Sequence, residues 1–232
     1  MRALGVIELV AAGGALKAAQ IGLSEPCFAL IRPPGHHASA DTAWGFCYFN
    51  NMAIALLHLK RINKIKKAFI LDFDLHVGDG NINILEPKGF VKILNPGGSD
   101  RNEYLKTVTN ALEKTDADMI AVSAGFDNHE DDWGGLLKTE DYTYMGKLVR
   151  EAARRNKGGC FGILEGGYNH AVPVSSTHLR AHETVLELVC RLLLEKTKLL
   201  SLFTILNHTT RQQQPHTLHS PPTSSSKTAS RR

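Results

Sequence analysis

Apolar residues follow two alternating rhythms along the first 170 positions. Residues 3–20 are rich in Ala, Leu and Gly and predict a helix. The short apolar run CFALI (27–31) predicts a strand, and FNNMAIALLHLKRI (49–62) repeats its apolar residues near the helical period. KAFILDFD (67–74) and VKIL (91–94) predict two more strands. RNEYLKTVTNALEKT (101–115) predicts a helix, with Ser99 or Asp100 as its N-cap. DMIAVSAG (118–125) predicts a strand, KTEDYTYMGKLVREAARRN (138–156) a helix, and GGCFGILEGG (158–167) a strand that ends in glycines. Strands rich in Ile, Val, Phe and Leu, separated by helices, predict an α/β fold: an open parallel sheet with helices on both faces.

The pattern changes at about residue 172. SSTHLRAHETVLELVCRLLLEKTKLL is helix-prone, and NHTTRQQQPHTLHSPPTSSSKTASRR is polar and rich in Pro, Ser and Thr, a composition expected to be disordered. The division expected is a domain over 1–172 and a tail over 173–232. The charge agrees. Residues 174–232 carry 8 Lys+Arg against 3 Asp+Glu, and the preceding residues carry 19 against 20. The overall +4 therefore belongs to the tail. The near-neutral body gives no reason to expect direct nucleic-acid binding.

With 43% hydrophobic and 22% charged residues the chain suits one globular domain. No run of 18 apolar residues predicts a membrane span. MRALGVIELVAAGG carries one basic residue and an interrupting Glu8, which makes a poor signal peptide. Cys27, Cys47, Cys160 and Cys190 are scattered without a CxxC, which argues against a zinc ribbon or a disulfide framework and predicts a reducing, cytoplasmic setting.

Four of the five predicted strands run into an unusual polar cluster. After CFALI come Arg32, two prolines, Gly35, His36 and His37. After KAFIL come Asp72, Asp74, His76 and Asp79. DMIAVSAG leads to Asp127, and GGCFGILEGG to Tyr168. Ligands of open parallel sheets bind beyond the carboxyl ends of the strands, so all four clusters should open on one edge. On an extended segment Asp72, Asp74 and His76 share a face. Two carboxylates and an imidazole gathered there need a cation to offset repulsion and desolvation. With Asp127 added, Asp74, His76 and Asp127 make three ligands of the kind zinc accepts, leaving a fourth position for water.

A calcium loop is the plain alternative for Asp-x-Asp, but Val77 stands where that loop needs glycine and its closing glutamate is missing. Taken alone, His36 and His37 read equally well as a solvated turn. Beside a metal cluster they suit proton transfer, with Asp72 and Asp79 left over to orient them. Tyr168 is either a packing aromatic or a phenol donor presented on the Gly166-Gly167 turn. Trp44 and Phe46 ordinarily belong in a core. Flanking Gly45, they are also placed to wall a narrow substrate tunnel. The cysteines read as structural, and His129 and Glu130 as loop residues.

RPPGHHA, GFCYFNN, LDFDLHVGDG, VSAGFDNHEDD and LEGGYN, in that order over about residues 27–170, together resemble the zinc-dependent histone deacetylases and their acetylpolyamine amidohydrolase and acetoin-utilisation relatives. The resemblance implies the arginase/deacetylase fold. It implies Zn2+ on Asp74, His76 and Asp127, with His36 paired to Asp72 and His37 paired to Asp79. His37 is implied as general base and acid, with His36 tuning its charge. Tyr168 is implied as the oxyanion donor, and Gly45 with Phe46 as tunnel wall. Backbone oxygens of Asp72, Asp74 and His76 are implied as the seat of a structural monovalent cation such as K+. The implied substrate is acetylated lysine or an acetylated small amine, hydrolysed to acetate and a free amine.

Departures from the pattern set further expectations. Only 31 residues precede RPPGHH, so the family's first strands and an acidic rim loop are expected to be absent and the sheet incomplete. The short stretch from Gly80 to Met119 predicts a wide tunnel, and Trp133 stands where the family usually has Pro-Leu. Beyond LEGGYNHAV the pattern is lost. LVCRLLLEK resembles one reading frame of a common sequencing adaptor, which makes the tail a candidate for translated non-coding sequence. Two other readings stand beside the deacetylase: an arginase-like binuclear manganese hydrolase, and an inactive remnant of the fold or a binding module.

Overall fold

Five strands, all parallel, form one sheet: β1 (Cys27–Ala29), β2 (Ala68–Asp72), β3 (Val91–Leu94), β4 (Met119–Ala124) and β5 (Gly159–Leu164), in the order β1-β5-β4-β2-β3. The structure is a computed structural model, described here for residues 2–169. The expected tail, 173–232, and Cys190 within it lie outside the described residues. The helices are α1 (Arg2–Ile21), α2 (Asn51–Arg61), α3 (Asp79–Leu85), α4 (Arg101–Lys114) and α5 (Thr139–Arg155). None of them is long and apolar enough to cross a membrane.

Side-chain alternation divides the molecule into two cores. In β2, Ala68 and Ile70 face one side and Phe69 and Leu71 the other; in β4, Met119 and Ala121 oppose Ile120 and Val122. Residues of α1 and α2 and Leu85 of α3 cover the first face, and α4 and α5 cover the second. The central strands are buried on both faces, which is why their sequences read as continuous apolar runs without alternation.

Caps fix where several helices begin. The Asn50 side chain accepts from Ala53 N at 2.7 Å, and Asp100 accepts from Glu103 N at 2.8 Å. Asp100 is thus the N-cap of the two candidates. Lys138 N donates to Asp141 at the start of α5, and the same carboxylate takes two bonds from Arg101, tying α5 to α4.

Helix α3 and the 3-10 turn Glu86–Lys88 went unforeseen, because DGNINIL is short and half polar. β1 is three residues long where five were expected, and it ends before the Pro-rich turn.

The chain moves from β2 outward to β3, then back across β2 to β4 and on to β5. Crossovers therefore run in opposite directions from β2 and β4. A crevice is expected where they part, beyond the carboxyl ends of those two strands.

Ile70 is fully buried in a central strand. Ile70→Ala should lower unfolding free energy by about 2–5 kcal/mol, the range for a large-to-small core change, measured by urea denaturation followed by far-UV circular dichroism.

Candidate active site

β2 ends at Asp72, so residues 73–78 leave the sheet before the expected extended run is complete. Asp72, Asp74 and His76 consequently do not share a face. Asp72 is directed to His36, with Oδ2 3.2 Å from Nδ1. Asp74 and His76 turn toward the loop after β4. His76 Nδ1 lies 3.2 Å from Asp74 Oδ1 and 3.0 Å from Asp127 Oδ2. One ligand atom from each of Asp74, His76 and Asp127 falls within 4.8 Å of the other two.

Backbone amides hold these carboxylates in place. Asp74 accepts from His76 N at 2.9 Å and from Gly166 N at 2.7 Å, and Asp127 accepts from Leu75 N at 3.0 Å. Gly125 leaves the room: a Cβ there would fall 2.0 Å from Asp74 Oδ2. Burial, and then the neighbouring Asp74 charge, push Asp127 up to about 6.

The tandem histidines follow β1. His36 is 3% exposed and His37 4%, so the solvated-turn reading fails. Burial alone would lower His36. The charge and hydrogen bond of Asp72, with the charges of Glu165 and Asp74, outweigh it and raise the imidazole to about 10. His37 is held below its ordinary value by burial first and by the neighbouring His36 second. Its Nδ1 lies 2.7 Å from Asp79 Oδ1, while Trp44 Nε1 donates to Asp79 Oδ2 at 2.9 Å. Against the burial that would raise it, these bonds hold Asp79 below the usual carboxylate range.

A pocket of about 90 Å³ opens between these groups and is lined by His36, His37, Asp74 and His76 together with Trp44, Gly45, Phe46, Trp133 and Tyr168. Trp44 and Phe46 are 53% and 66% exposed, not core. The Trp44 indole lies against His37 with ring centres 3.9 Å apart. Gly45 and Phe46 both adopt positive φ, 58° and 63°. This turn presses Gly45 onto His37, where a Cβ would sit 2.4 Å from Cδ2.

Tyr168 is half-buried. Burial, then the charges of Asp127 and Asp74, raise its pKa, so the phenol keeps its proton. Its ring stacks on Trp133 with centres 3.9 Å apart and planes at 14°. All ten residues singled out from the sequence thus line this pocket or bond directly to residues that do.

Several contributors were missed. Glu165 is fully buried; it accepts from Gly35 N at 2.7 Å and His36 N at 3.2 Å, and burial, opposed by His36, raises it to about 7. Its backbone oxygen takes a bond from Arg32. Asn81 Nδ2 reaches Asp72 Oδ2 at 3.3 Å and Ser123 Oγ at 3.1 Å. The signal for Glu165 was an acidic residue at the end of an otherwise apolar strand. Asn81 gave none, because it sits in a short, half-polar helix and one of its two partners, Ser123, lies 42 residues away. His129 lies in a loop as expected, but it is buried and bonds Thr139 Oγ1 at 3.0 Å. Cys27, Cys47 and Cys160 are free and buried.

Comparison with known proteins places this geometry in context. A family model described as histone deacetylase domain matches residues 3–95 and 90–183. A probable deacetylase of Methanothermobacter thermautotrophicus is 33% identical over 202 residues, covering 70% of this chain and 60% of the relative. A histone deacetylase-like amidohydrolase of Pseudomonas aeruginosa is 31% identical, covering 68% and 51%. The crystal structure of the HDA15 HD domain superposes with a TM-score of 0.60 at 26% identity, covering 73% of this chain and 58% of that one. The chain therefore spans about 60% or less of the length of these relatives.

Gly45→Ala should destabilise the fold by about 1–2 kcal/mol from the left-handed backbone alone, and by more through the clash with His37. Gly97, which has open space around it, supplies the control: Gly97→Ala should be near neutral in the same urea titration.

Proposed function

The chain belongs to the histone deacetylase family, and from that premise we propose that it is a zinc-dependent amidohydrolase that removes the acetyl group from acetyl-lysine or another acetylated amine. One observation carries this reading. Asp74, His76 and Asp127 converge on a pocket that also receives an Asp-oriented histidine and a protonated phenol.

The donor set fits the ion. Two carboxylates and one imidazole match the ligands zinc takes in catalytic sites, three from the protein with a position left open. Glycine at 125 gives one of those carboxylates its space. When held there, zinc supplies Lewis acidity to the amide carbonyl and to water.

The chain's own residues supply the rest. His37 gives Nδ1 to Asp79, which leaves Nε2 as the atom that takes a proton from water and returns it to the departing amine. Asp79 holds the ring in that tautomer. His36, sharing its Nδ1 with Asp72, places a positive charge beside His37, with ring centres 4.0 Å apart. Tyr168 donates its phenolic proton as a hydrogen bond to the carbonyl oxygen while negative charge develops there. Trp44, Phe46, Trp133 and Tyr168 all line the pocket. A slim, unbranched acylated amine suits that space.

A binuclear manganese hydrolase is less well supported. The other donor group among the described residues, His36, Cys47 and Glu165, shares no residue with the first.

Asp127→Ala should abolish stoichiometric zinc, read by elemental analysis after dialysis, together with hydrolysis of a fluorogenic acetyl-lysine peptide. Full zinc and near-normal turnover would remove Asp127 from the ligand set. Tyr168→Phe should keep zinc yet lower kcat by about 10²–10³-fold, the cost of one oxyanion donor. KM should change less, and an unchanged kcat would reduce Tyr168 to a packing role.

A further inference from the structure

Tyr168 stands four residues past the end of β5, in a stretch without helix or strand. An oxyanion donor must nevertheless be held to within a fraction of an ångström of the reacting carbonyl. The residues of 165–169 are anchored to their surroundings largely by carboxylates. Gly166 N donates to Asp74, as already described. Tyr168 N and Asn169 N both donate to Asp132 Oδ2, at 2.8 and 2.7 Å. Asp132 Oδ1 meanwhile accepts from Trp133 N at 2.8 Å. The Trp133 ring is the one stacked on the Tyr168 phenol.

We propose that Asp132 is the positioning residue for Tyr168, a strap that fixes both the backbone of Tyr168 and the indole that braces its ring. The geometry is unlike a simple turn. An aspartate bonding the next amide is a local feature, but here the second oxygen spans to a loop 36 residues away. Asp132 also belongs to the same loop as Asp127, whose carbonyl accepts Gly134 N at 2.8 Å. The strap therefore sets the phenol relative to one of the three proposed metal ligands. Trp133 is 63% exposed, a high solvent exposure for so large an apolar ring. Bracing Tyr168 at the pocket mouth accounts for it. The same indole approaches His76 edge-on, with ring centres 6.3 Å apart, so it touches both sides of the site.

The inference rests on the deacetylase reading, and the test separates the two. Zinc-loaded full chain is assayed on an acetyl-lysine peptide as wild type, Asp132→Asn, Tyr168→Phe and the double variant. Asp132→Asn should lower kcat about 10²-fold, the cost of a misplaced catalytic group, with a smaller change in KM and unchanged zinc. In the Tyr168→Phe background the same change should alter kcat less than about twofold, because neighbouring residues that act through one group are not additive. An equal loss in both backgrounds, or a kcat within about twofold of wild type in Asp132→Asn, overturns the strap. Trp133→Ala should lower kcat and Trp133→Phe should restore it; equal losses overturn the brace, and this pair decides the matter if Asp132→Asn does not fold.

If wild type shows no turnover the deacetylase reading fails, and if Tyr168→Phe shows none of its expected loss Tyr168 is reduced to a packing role; in either case fluorescence decides the strap. The chain has two tryptophans, so Trp44→Phe leaves Trp133 as the sole tryptophan, excited selectively over the tyrosines at the red edge of the absorption band. Asp132→Asn in that background should shift its emission and raise acrylamide quenching. Unchanged emission and quenching overturn the proposal without reference to activity.

Discussion

Buried carboxylates are the constraint around which the polar edge of this molecule is built. Asp72, Asp74, Asp127 and Glu165 are each no more than 5% exposed. Desolvating an ionised carboxylate costs several kcal/mol unless other groups replace the lost water. The loops answer with amides: His76 and Gly166 on Asp74, Leu75 on Asp127, Gly35 and His36 on Glu165. Asn81 and His36 answer for Asp72. Each pairing requires one loop to approach another closely, which is why glycines stand at 125 and 166. The positive charge still wanting is what a divalent ion would provide.

The sheet makes this crowding possible. β2 and β4 are hydrogen-bonded neighbours, and adjacent strands lie about 5 Å apart. Residues just past their ends therefore start at the separation that shared coordination needs. Because the crossovers leave β2 and β4 in opposite directions, no helix among the described residues closes the space above them. β5 then brings Tyr168 from one side, and β1, beside β5, brings the two histidines.

Much of this could be read from the sequence, and the reasons differ by feature. VKIL matched its strand end to end, and the long helices fell within a residue or two of their expected limits. Continuous apolar runs and helical periods report burial directly. Asp74, His76 and Asp127 stood out because polar clusters at strand ends have few structural uses. Legibility stopped where a residue's meaning depends on its neighbours in space. The alternation argument placed Asp72 beside Asp74, yet the strand ended first and the two serve different partners. Asn81 bonds β2 and β4 from a helix too short to leave a periodic trace. Trp44 and Phe46, apolar by type, lie at the surface because the left-handed turn at Gly45 and Phe46 faces the pocket mouth.

β1 pairs with β5, joining Cys27 to Phe161 and Ala29 to Ile163 across most of the described chain. Closing so long a loop is entropically expensive and slow compared with local helix formation. The histidine loop is attached to β1, and its anchor Glu165 follows β5, so the loop is not seated until that pairing forms. During refolding, helix content and most of the sheet should therefore return before the pocket does. The pairing that closes last is in effect the one that completes the pocket, and partly folded chains carry the strand-end carboxylates without the histidines beside them.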